Sequence, residues 1–331
     1  MNRDQALDIF LKKANWDTAD KTPLAGDASS RTYIRLRKGG KSAILMNSPL
    51  SERPDQFVFI DRLLEQTGIR VPAILADDLE NGFLLLEDFG DNTFTRLLAK
   101  GTDELTLYKA GIDTLIHLHK NVALPAQGIT VYTSERLLNG VMLFANWYGK
   151  YAVPGGLSDT AISEFRTLWS DLAKQMEQLP QTLILMDYHA DNLMITPDGS
   201  CGVLDFQDAR IGPLTYDLVS LLEDERRDVS PAVREELISY YFHQCPRWDT
   251  PLVRNTLSLV ALQRHTRVIG VFVRLFLRDR KEKYLDMIPL VWRQIESHLD
   301  EAVFKDYRNW LDRYIPQEIR HTPLKPEDFH D

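Results

Sequence analysis

The residue pattern places this chain among α+β proteins of two lobes, a small antiparallel sheet with one packed helix followed by a larger, mostly helical part. Three features carry that expectation. Apolar and polar residues alternate with a period of two on either side of Gly39-Gly40, the mark of a half-buried hairpin. From Leu105 onward the apolar residues recur at helical spacing instead. A length of 331 residues suffices for two lobes with a substantial core, and 44% hydrophobic with 26% charged residues is ordinary for a globular protein.

The elements follow in order. An amphipathic helix runs to Ala14 with Leu7, Phe10 and Leu11 on one face. Pro23 to Ser30 reads as a small-residue turn. Thr32, Ile34 and Leu36 then alternate with Tyr33, Arg35 and Arg37 in a strand, and Lys38-Gly39-Gly40-Lys41 makes a tight hairpin into a return strand over 42–46. Phe57, Ile60, Leu63 and Leu64 define a helix that ends at Thr67-Gly68. Strands are expected at 71–76 and 82–86, and Phe89-Gly90-Asp91 marks the boundary between lobes at 1–89 and 90–331. Helices follow over 105–120, 134–151 and 158–179, the last two separated by Val153-Pro154-Gly155-Gly156. His117 and His119, near the end of the first of these, read as structural. Ser230-Pro231 sets a cap and a first-turn proline in the favoured order. The most apolar helix spans 257–277, and the tail from His321 to Asp331, with Pro323 and Pro326, is expected to be loosely ordered.

Composition narrows the function. A net charge of -9 argues against nucleic acid as a bulk partner, since neutralising phosphates needs a basic face. Two cysteines, Cys201 and Cys245, supply neither a disulfide framework nor metal-ligand spacing, which fits a reducing compartment. The first residues lack the apolar core of a signal peptide, and Arg264, His265, Arg267 and Arg274 interrupt the 257–277 segment, so no membrane span is expected. The expectation is a cytoplasmic protein, and nothing points to an oligomeric state.

The informative stretch runs from Leu183 to Asp217. An apolar run, Leu183 to Met186, delivers Asp187 to a loop, and Asn192 follows on a D-x-x-x-x-N spacing. Leu193 to Ile195 reads as a short strand, Pro197-Asp198-Gly199 as a turn, and Gly202 to Leu204 as a return strand ending at Asp205. Such a hairpin brings an Asp, an Asn and a second Asp to one sheet edge. Phosphoryl transfer from a nucleotide needs this equipment: one carboxylate to accept the acceptor hydroxyl's proton, an amide oxygen and another carboxylate to hold divalent metal against phosphate. Mg²⁺ is hard and prefers oxygen ligands, which suits Asn192 and Asp205. His189 reads as a loop brace and Asp217 as a loop anchor.

At D-Y-H-A-D-N-L-M and D-F-Q-D-A-R-I-G-P-L-T-Y-D the chain resembles the aminoglycoside phosphotransferase/choline kinase group, relatives of protein kinases. Together with Q-R-H-T-R-V-I-G-V-F-V-R-L near the end, it looks most like bacterial anomeric kinases acting on N-acetylmuramate and N-acetylglucosamine. The resemblance covers most of the chain. It implies a protein-kinase-like fold, ATP and Mg²⁺ as cofactors, and a small-molecule sugar as acceptor. It implies Asp187 as catalytic base and Asn192 and Asp205 as metal ligands. Gly26, Asp27, Ala28, Ser29 and Ser30 resemble the phosphate-covering flap, and backbone groups around Leu86, Glu87 and Asp88 the adenine-binding hinge.

One departure stands out. The strand after the flap normally offers a Lys to the phosphates, but Met46 occupies that place, and Gln56 or Phe57 sits where the partner Glu is expected. Arg31 or Arg35, on the flap strand, is the candidate substitute. For the acceptor, Trp147 and Tyr148 offer aromatic faces, though such a stripe is also what a core helix carries. Arg264, Arg267 and Arg274 suit an anionic or neutral acceptor better than a polycationic aminoglycoside. The rival readings are a kinase for another small alcohol, such as choline, homoserine or an antibiotic, and a nucleotide-binding pseudokinase suggested by the absent Lys.

Overall fold

The computed structural model describes residues 2–24, 30–124 and 128–329. The chain forms two compact units, one comprising Met1–Asn121 and Asp187–Ala209, the other Val122–Met186 and Arg210–Asp331.

In the first unit, helix α1 (Arg3–Lys13) starts at a reciprocal cap, with the Gln5 amide donating to the Asn2 side chain at 2.9 Å and the Asn2 amide to the Gln5 side chain at 3.1 Å. Five strands follow, β1 (Asp20–Pro23), β2 (Thr32–Lys38), β3 (Lys41–Asn47), β4 (Ile74–Asp78) and β5 (Phe83–Glu87), in the order β1-β2-β3-β5-β4 with every neighbour antiparallel. The β2–β3 hairpin turns through Gly39 and Gly40 at φ 56° and 77°, the left-handed pair that a two-residue turn matched to strand twist requires. Strand β1 is exposed along its whole length and shows no alternation, so periodicity gave no sign of it. Strand β4 begins at Ile74 rather than Val71, as Pro72 has no N–H to give a ladder. Helix α2 (Pro54–Gln66) starts three residues before Phe57, at a first-turn proline.

Around β3 and β5 the sheet is buried on both faces. Leu36, Ala43, Leu45, Phe83 and Leu85 pack with Ala6, Phe10 and Leu11 of α1. Met46 alternates with these residues, so it points to the opposite face, and it is 0% exposed. Phe57 of α2 is buried as well, its ring 4.9 Å from that of Phe206. An apolar side chain therefore fills the expected place of the Lys, and the place of its partner Glu falls to buried Phe57 or half-buried Gln56, neither of them charged. This costs nothing in buried charge, whereas keeping one ionised member alone would be expensive.

Helices α3 (Phe94–Ala99) and α4 (Glu104–Asn121) complete the N-terminal part of this unit. His117 Nε2 lies 2.8 Å from the Thr67 carbonyl, bracing the end of α2. Two small sheets come later in the chain. Strand β6 (Gln181–Ile184) pairs with β9 (Arg210–Pro213) in the second unit, and β7 (Leu193–Ile195) with β8 (Cys201–Val203) in the first.

The second unit is largely helical, with α5 (Ser134–Leu143), α6 (Gly149–Tyr151), α7 (Asp159–Glu177), α8 (Tyr216–Leu222), α9 (Pro231–Gln244), α10 (Pro251–Asp279), α11 (Ile288–His298), α12 (Lys305–Tyr314) and α13 (Gln317–Arg320). The continuous helix expected over 134–151 is interrupted by a π turn at Phe144–Tyr148. Its cause lies on α10. A Cβ on Gly270 would fall 2.3 Å from the Leu143 carbonyl carbon and 2.4 Å from the Phe144 nitrogen, so only a glycine lets the two backbones approach this closely. The aromatic core gathers there, with Phe144 stacked on Tyr148 at 5.1 Å and on Phe165 at 5.6 Å, and edge-on to Trp292. In the C-terminal tail the Phe329 ring lies 4.9 Å from that of Phe276.

A buried polar cluster joins α10 and α11 to the segment after α8. Glu223 Oε2 accepts from Nε2 of His265 at 2.9 Å and of His298 at 2.8 Å, and Glu225 pairs with Arg264. Among the described residues no helix is long and apolar enough to cross a membrane.

Replacing Gly270 with Ala should force the two helix backbones apart, costing on the order of 1–3 kcal/mol as overpacking does. A urea titration followed by tryptophan fluorescence measures this, and an unchanged midpoint would remove the close-approach explanation of the π turn.

Candidate active site

The site begins with a buried acid. Asp217 opens α8 and is 0% exposed. Its carboxylate accepts from the Leu185 amide at 2.6 Å and the Met186 amide at 3.1 Å. These are the N–H groups left over where β6 ends, and an ionised acceptor is the strongest partner they can have. Met186 is left-handed at φ 72°, a conformation that a non-glycine residue holds only when its surroundings fix it. The turn so held delivers Asp187. The anchoring role read for Asp217 in the sequence corresponds to these contacts.

The other two residues are placed by the following hairpin. The Asn192 amide donates to the His189 carbonyl at 2.9 Å, and its side-chain NH₂ donates to the Asp187 carbonyl at 2.9 Å, with His189 Nε2 at 3.3 Å. With the NH₂ end so engaged, Asn192 Oδ1 is the end left to act as a ligand. One strand over, the Leu204 amide donates to the Asn192 carbonyl at 2.9 Å, which sets Asp205 beside it. Asp205 is itself left-handed at φ 55°, and the Gln207 side chain donates to its Oδ1 at 2.7 Å.

Asp205 and Asp187 feel each other. The Asp205 carboxyl is held above the ordinary carboxylate range, by loss of solvation first and by the negative charge of Asp187 second. With 46% of the Asp205 side chain still accessible, the neighbouring charge is the more informative cause. The Asn192 Oδ1 and the carboxylates of Asp205 and Asp187 are hard oxygen donors, and the repulsion Asp205 feels from Asp187 is of the kind a divalent cation would relieve, so these residue types fit Mg²⁺.

The remaining expected residues fall into three groups. Gly26, Asp27, Ala28 and Ser29 lie outside the described residues. Ser30 donates its hydroxyl to Glu52 at 2.5 Å, and Arg31 Nη1 lies 4.0 Å from Asp205 Oδ1. Leu86 is buried in the sheet, and the Glu87 amide donates to the Ala73 carbonyl at 2.9 Å while its carboxylate accepts from Arg70 Nη1 at 2.7 Å.

Three expectations need correction. Arg35 is spent on structure. Its guanidinium donates to Asp88 at 3.0 Å, to Asp91 at 3.0 and 3.1 Å and to the Gly90 carbonyl at 2.8 Å, tying β2 to the segment after β5 rather than facing phosphate. Asp88 is correspondingly Arg35's partner. Tyr148 is wholly buried in the aromatic core, which removes it from contact with an acceptor, whereas Trp147 is half-buried with its ring 5.9 Å from Tyr151. Arg264 is buried in its pair with Glu225. Arg267 and Arg274 are half-buried, and desolvation, followed by the charges of Arg278 and Arg267, pushes the Arg274 guanidinium below its usual range. Sequence reasoning passed over Glu52 and Gln207. Gln207 stands two residues after Asp205 in D-F-Q, and that spacing was the available signal; Glu52 had none.

An antiparallel five-stranded sheet, followed by a loop carrying Asp187 and a hairpin with Asn192 just before its first arm and Asp205 just after its second, defines a kinase-fold phosphotransferase. The chain belongs to the phosphotransferase enzyme family APH, whose pattern matches residues 20–253. It is 31% identical to an N-acetylmuramate/N-acetylglucosamine kinase of Caulobacter vibrioides over 96% of this chain and 98% of the relative. It is 34% identical to an enzyme of the same description from Pseudomonas putida over 89% of this chain and 88% of that one. Its fold is similar to that of the choline kinase LicA from Streptococcus pneumoniae, with a TM-score of 0.63 at 14% identity over 90% of this chain and all of that one. It is also similar to the gentamicin complex of APH(2")-IIa, with a TM-score of 0.62 at 14% identity over 92% of this chain and 98% of that one.

Changing Asp217 to Asn removes one of the two acceptors and turns an NH₂ toward a backbone N–H. A loss of about 1–3 kcal/mol of stability is expected, together with a fall in kcat that exceeds any loss of nucleotide affinity. Denaturant titration and steady-state kinetics check the two parts.

Proposed function

We propose that the enzyme phosphorylates the anomeric hydroxyl of N-acetylmuramate or N-acetylglucosamine, with ATP as donor and Mg²⁺ as the metal. The reading of the chemistry is supported by the contacts that set Asn192 against the Asp187 carbonyl and Leu204, just before Asp205, against the Asn192 carbonyl, and by the charge of Asp187 felt at Asp205. Asp187 orients the sugar hydroxyl and takes its proton as the oxygen bonds to the terminal phosphorus, while the bond from that phosphorus to the departing ADP oxygen breaks. Asn192 Oδ1 and the Asp205 carboxylate would hold the ion, which when bound with nucleotide neutralises phosphate charge. Residues 1–89 serve the nucleotide and 90–331 the catalytic loop and the acceptor. The need for ATP as donor supports action in the cytoplasm.

For the acceptor, support comes from the relatives, each described as a kinase of these two sugars, and from α10. Arg267 and Arg274 lie close enough for the charge of one to act on the other. Clustered guanidinium groups suit a carboxylate such as the lactyl group of N-acetylmuramate and repel a polycationic antibiotic. Trp147 remains the aromatic candidate for the sugar's apolar face.

³¹P NMR of the product formed from MgATP and N-acetylmuramate identifies both acceptor and position. An anomeric phosphate is expected, and better turnover of choline or an aminoglycoside would overturn the sugar reading. Asp187→Asn should lower kcat by roughly 10²–10⁴-fold, the contribution of a positioned base, while the variant still binds nucleotide in calorimetry; turnover near wild type would remove Asp187 from the mechanism. Arg274→Ala should raise the KM for N-acetylmuramate about tenfold or more, as loss of a charged hydrogen bond does, and leave that for N-acetylglucosamine nearly unchanged. Equal effects on both sugars would detach Arg274 from the carboxylate.

A further inference from the structure

The place of the missing phosphate-binding Lys can be examined from the neighbouring strand. The β2–β3 register sets Tyr33 opposite Met46 and Arg35 opposite Ile44. Directly opposed residues share a sheet face, and the alternation continued by one step brings Arg31 to that face as well. Of the two arginines, Arg35 is saturated by Asp88, Asp91 and the Gly90 carbonyl. Arg31 is placed differently, with its side chain 6% exposed and its Nη1 4.0 Å from Asp205 Oδ1.

What aims Arg31 is Glu52, in the 3₁₀ turn Leu50–Glu52 just ahead of α2. Arg31 Nη2 donates to the Glu52 carbonyl at 2.9 Å and lies 3.7 Å from its carboxylate. The same carboxylate accepts from the Ser30 hydroxyl at 2.5 Å. One acidic side chain thus holds both the arginine and the residue that ends the small-residue loop. Tyr33 belongs to the same group. Its phenol is pushed up to about 12, by burial first and then by the charge of Asp205, with a hydrogen bond to Arg31 opposing. Tyr33 and Arg31 share the sheet face of Met46, and Arg31 reaches from it to within 4.0 Å of Asp205.

We propose that Arg31 and Glu52 rebuild the cation–carboxylate couple that Met46 and Phe57 lack, Arg31 contacting the nucleotide phosphates and Glu52 acting as its positioning residue. This rests on the nucleotide-dependent reading of the site. The couple has moved one strand sideways. Its cation comes from the strand flanking the flap, and its acid from the turn before the helix rather than from the helix. A forked guanidinium spans two phosphate oxygens where an ammonium reaches one, and Glu52 fixes the fork's rotation before nucleotide arrives.

Calorimetric binding of AMP and of a non-hydrolysable ATP analogue with Mg²⁺ to the full-length chain tests the assignment. Arg31→Ala is expected to weaken the ATP analogue about tenfold or more and AMP by less than twofold. Glu52→Gln should show the same selective loss to a smaller extent, and the double variant should be no weaker than Arg31→Ala alone, as expected for residues acting through one contact. Arg31→Lys, which keeps the charge and loses the fork, should fall between wild type and Arg31→Ala. Equal weakening of AMP and ATP analogue, or unchanged affinity in folded Arg31→Ala and Glu52→Gln, would overturn the proposal. Failure of the wild-type chain to bind the ATP analogue would overturn the nucleotide reading instead.

Discussion

The site depends on a single buried carboxylate satisfying two backbone amides. Asp217 accepts from Leu185 and Met186 where β6 runs out of ladder partners. Buried N–H groups without acceptors are costly, and a buried acid without donors more so. Each solves the other's problem only in one geometry, and that geometry places Met186 in the left-handed region. From there the chain is clocked residue by residue. Asp187 follows the fixed turn, Asn192 reaches back to the Asp187 carbonyl, and Leu204 reads the Asn192 carbonyl and so presents Asp205. The positions of Asn192 and Asp205 are set by backbone hydrogen bonding.

Two non-glycine residues with positive φ, Met186 and Asp205, border this segment. Such strain persists where neighbouring contacts over-determine it. Asp217 supplies them at one end, and Gln207, bonded to Asp205 Oδ1, contributes at the other. Met46 and Phe57 are buried and apolar, while on strand β2 and just before it the buried charges of Arg35 and Arg31 each meet an acid, as does the more exposed Arg70.

Much of this was legible in the residues, for identifiable reasons. The hairpin carrying Asn192 and Asp205 could be read because Pro197-Asp198-Gly199 forces a turn between two short apolar runs, and Gly39-Gly40 forces another. Helical spacing located the aromatic residues around Phe144, but spacing identifies a face without saying what covers it. Tyr148 and Trp147 are adjacent in sequence, yet Tyr148 is wholly buried, with Trp292 edge-on to its ring, while Trp147 is half-buried. The same limit applies to Arg264, whose partner Glu225 lies 39 residues earlier in sequence (264 − 225). Arg31 and Arg35 are equivalent by alternation. They are separated by acids at positions 88 and 91, which no local pattern connects to β2. Strand β1 escaped because an exposed edge needs no apolar period, and the π turn because its cause, Gly270, sits on another helix.

The thioether at position 46 also bears on how this protein meets reagents made for kinases. Nucleotide analogues with acyl-phosphate or sulfonyl-fluoride warheads capture the ammonium group that most such sheets project beside the phosphates. Here that wall offers a sulfur too weakly nucleophilic and too deeply enclosed to react in its place. A reagent that depends on an ammonium group at that one position would find none to react with at Met46.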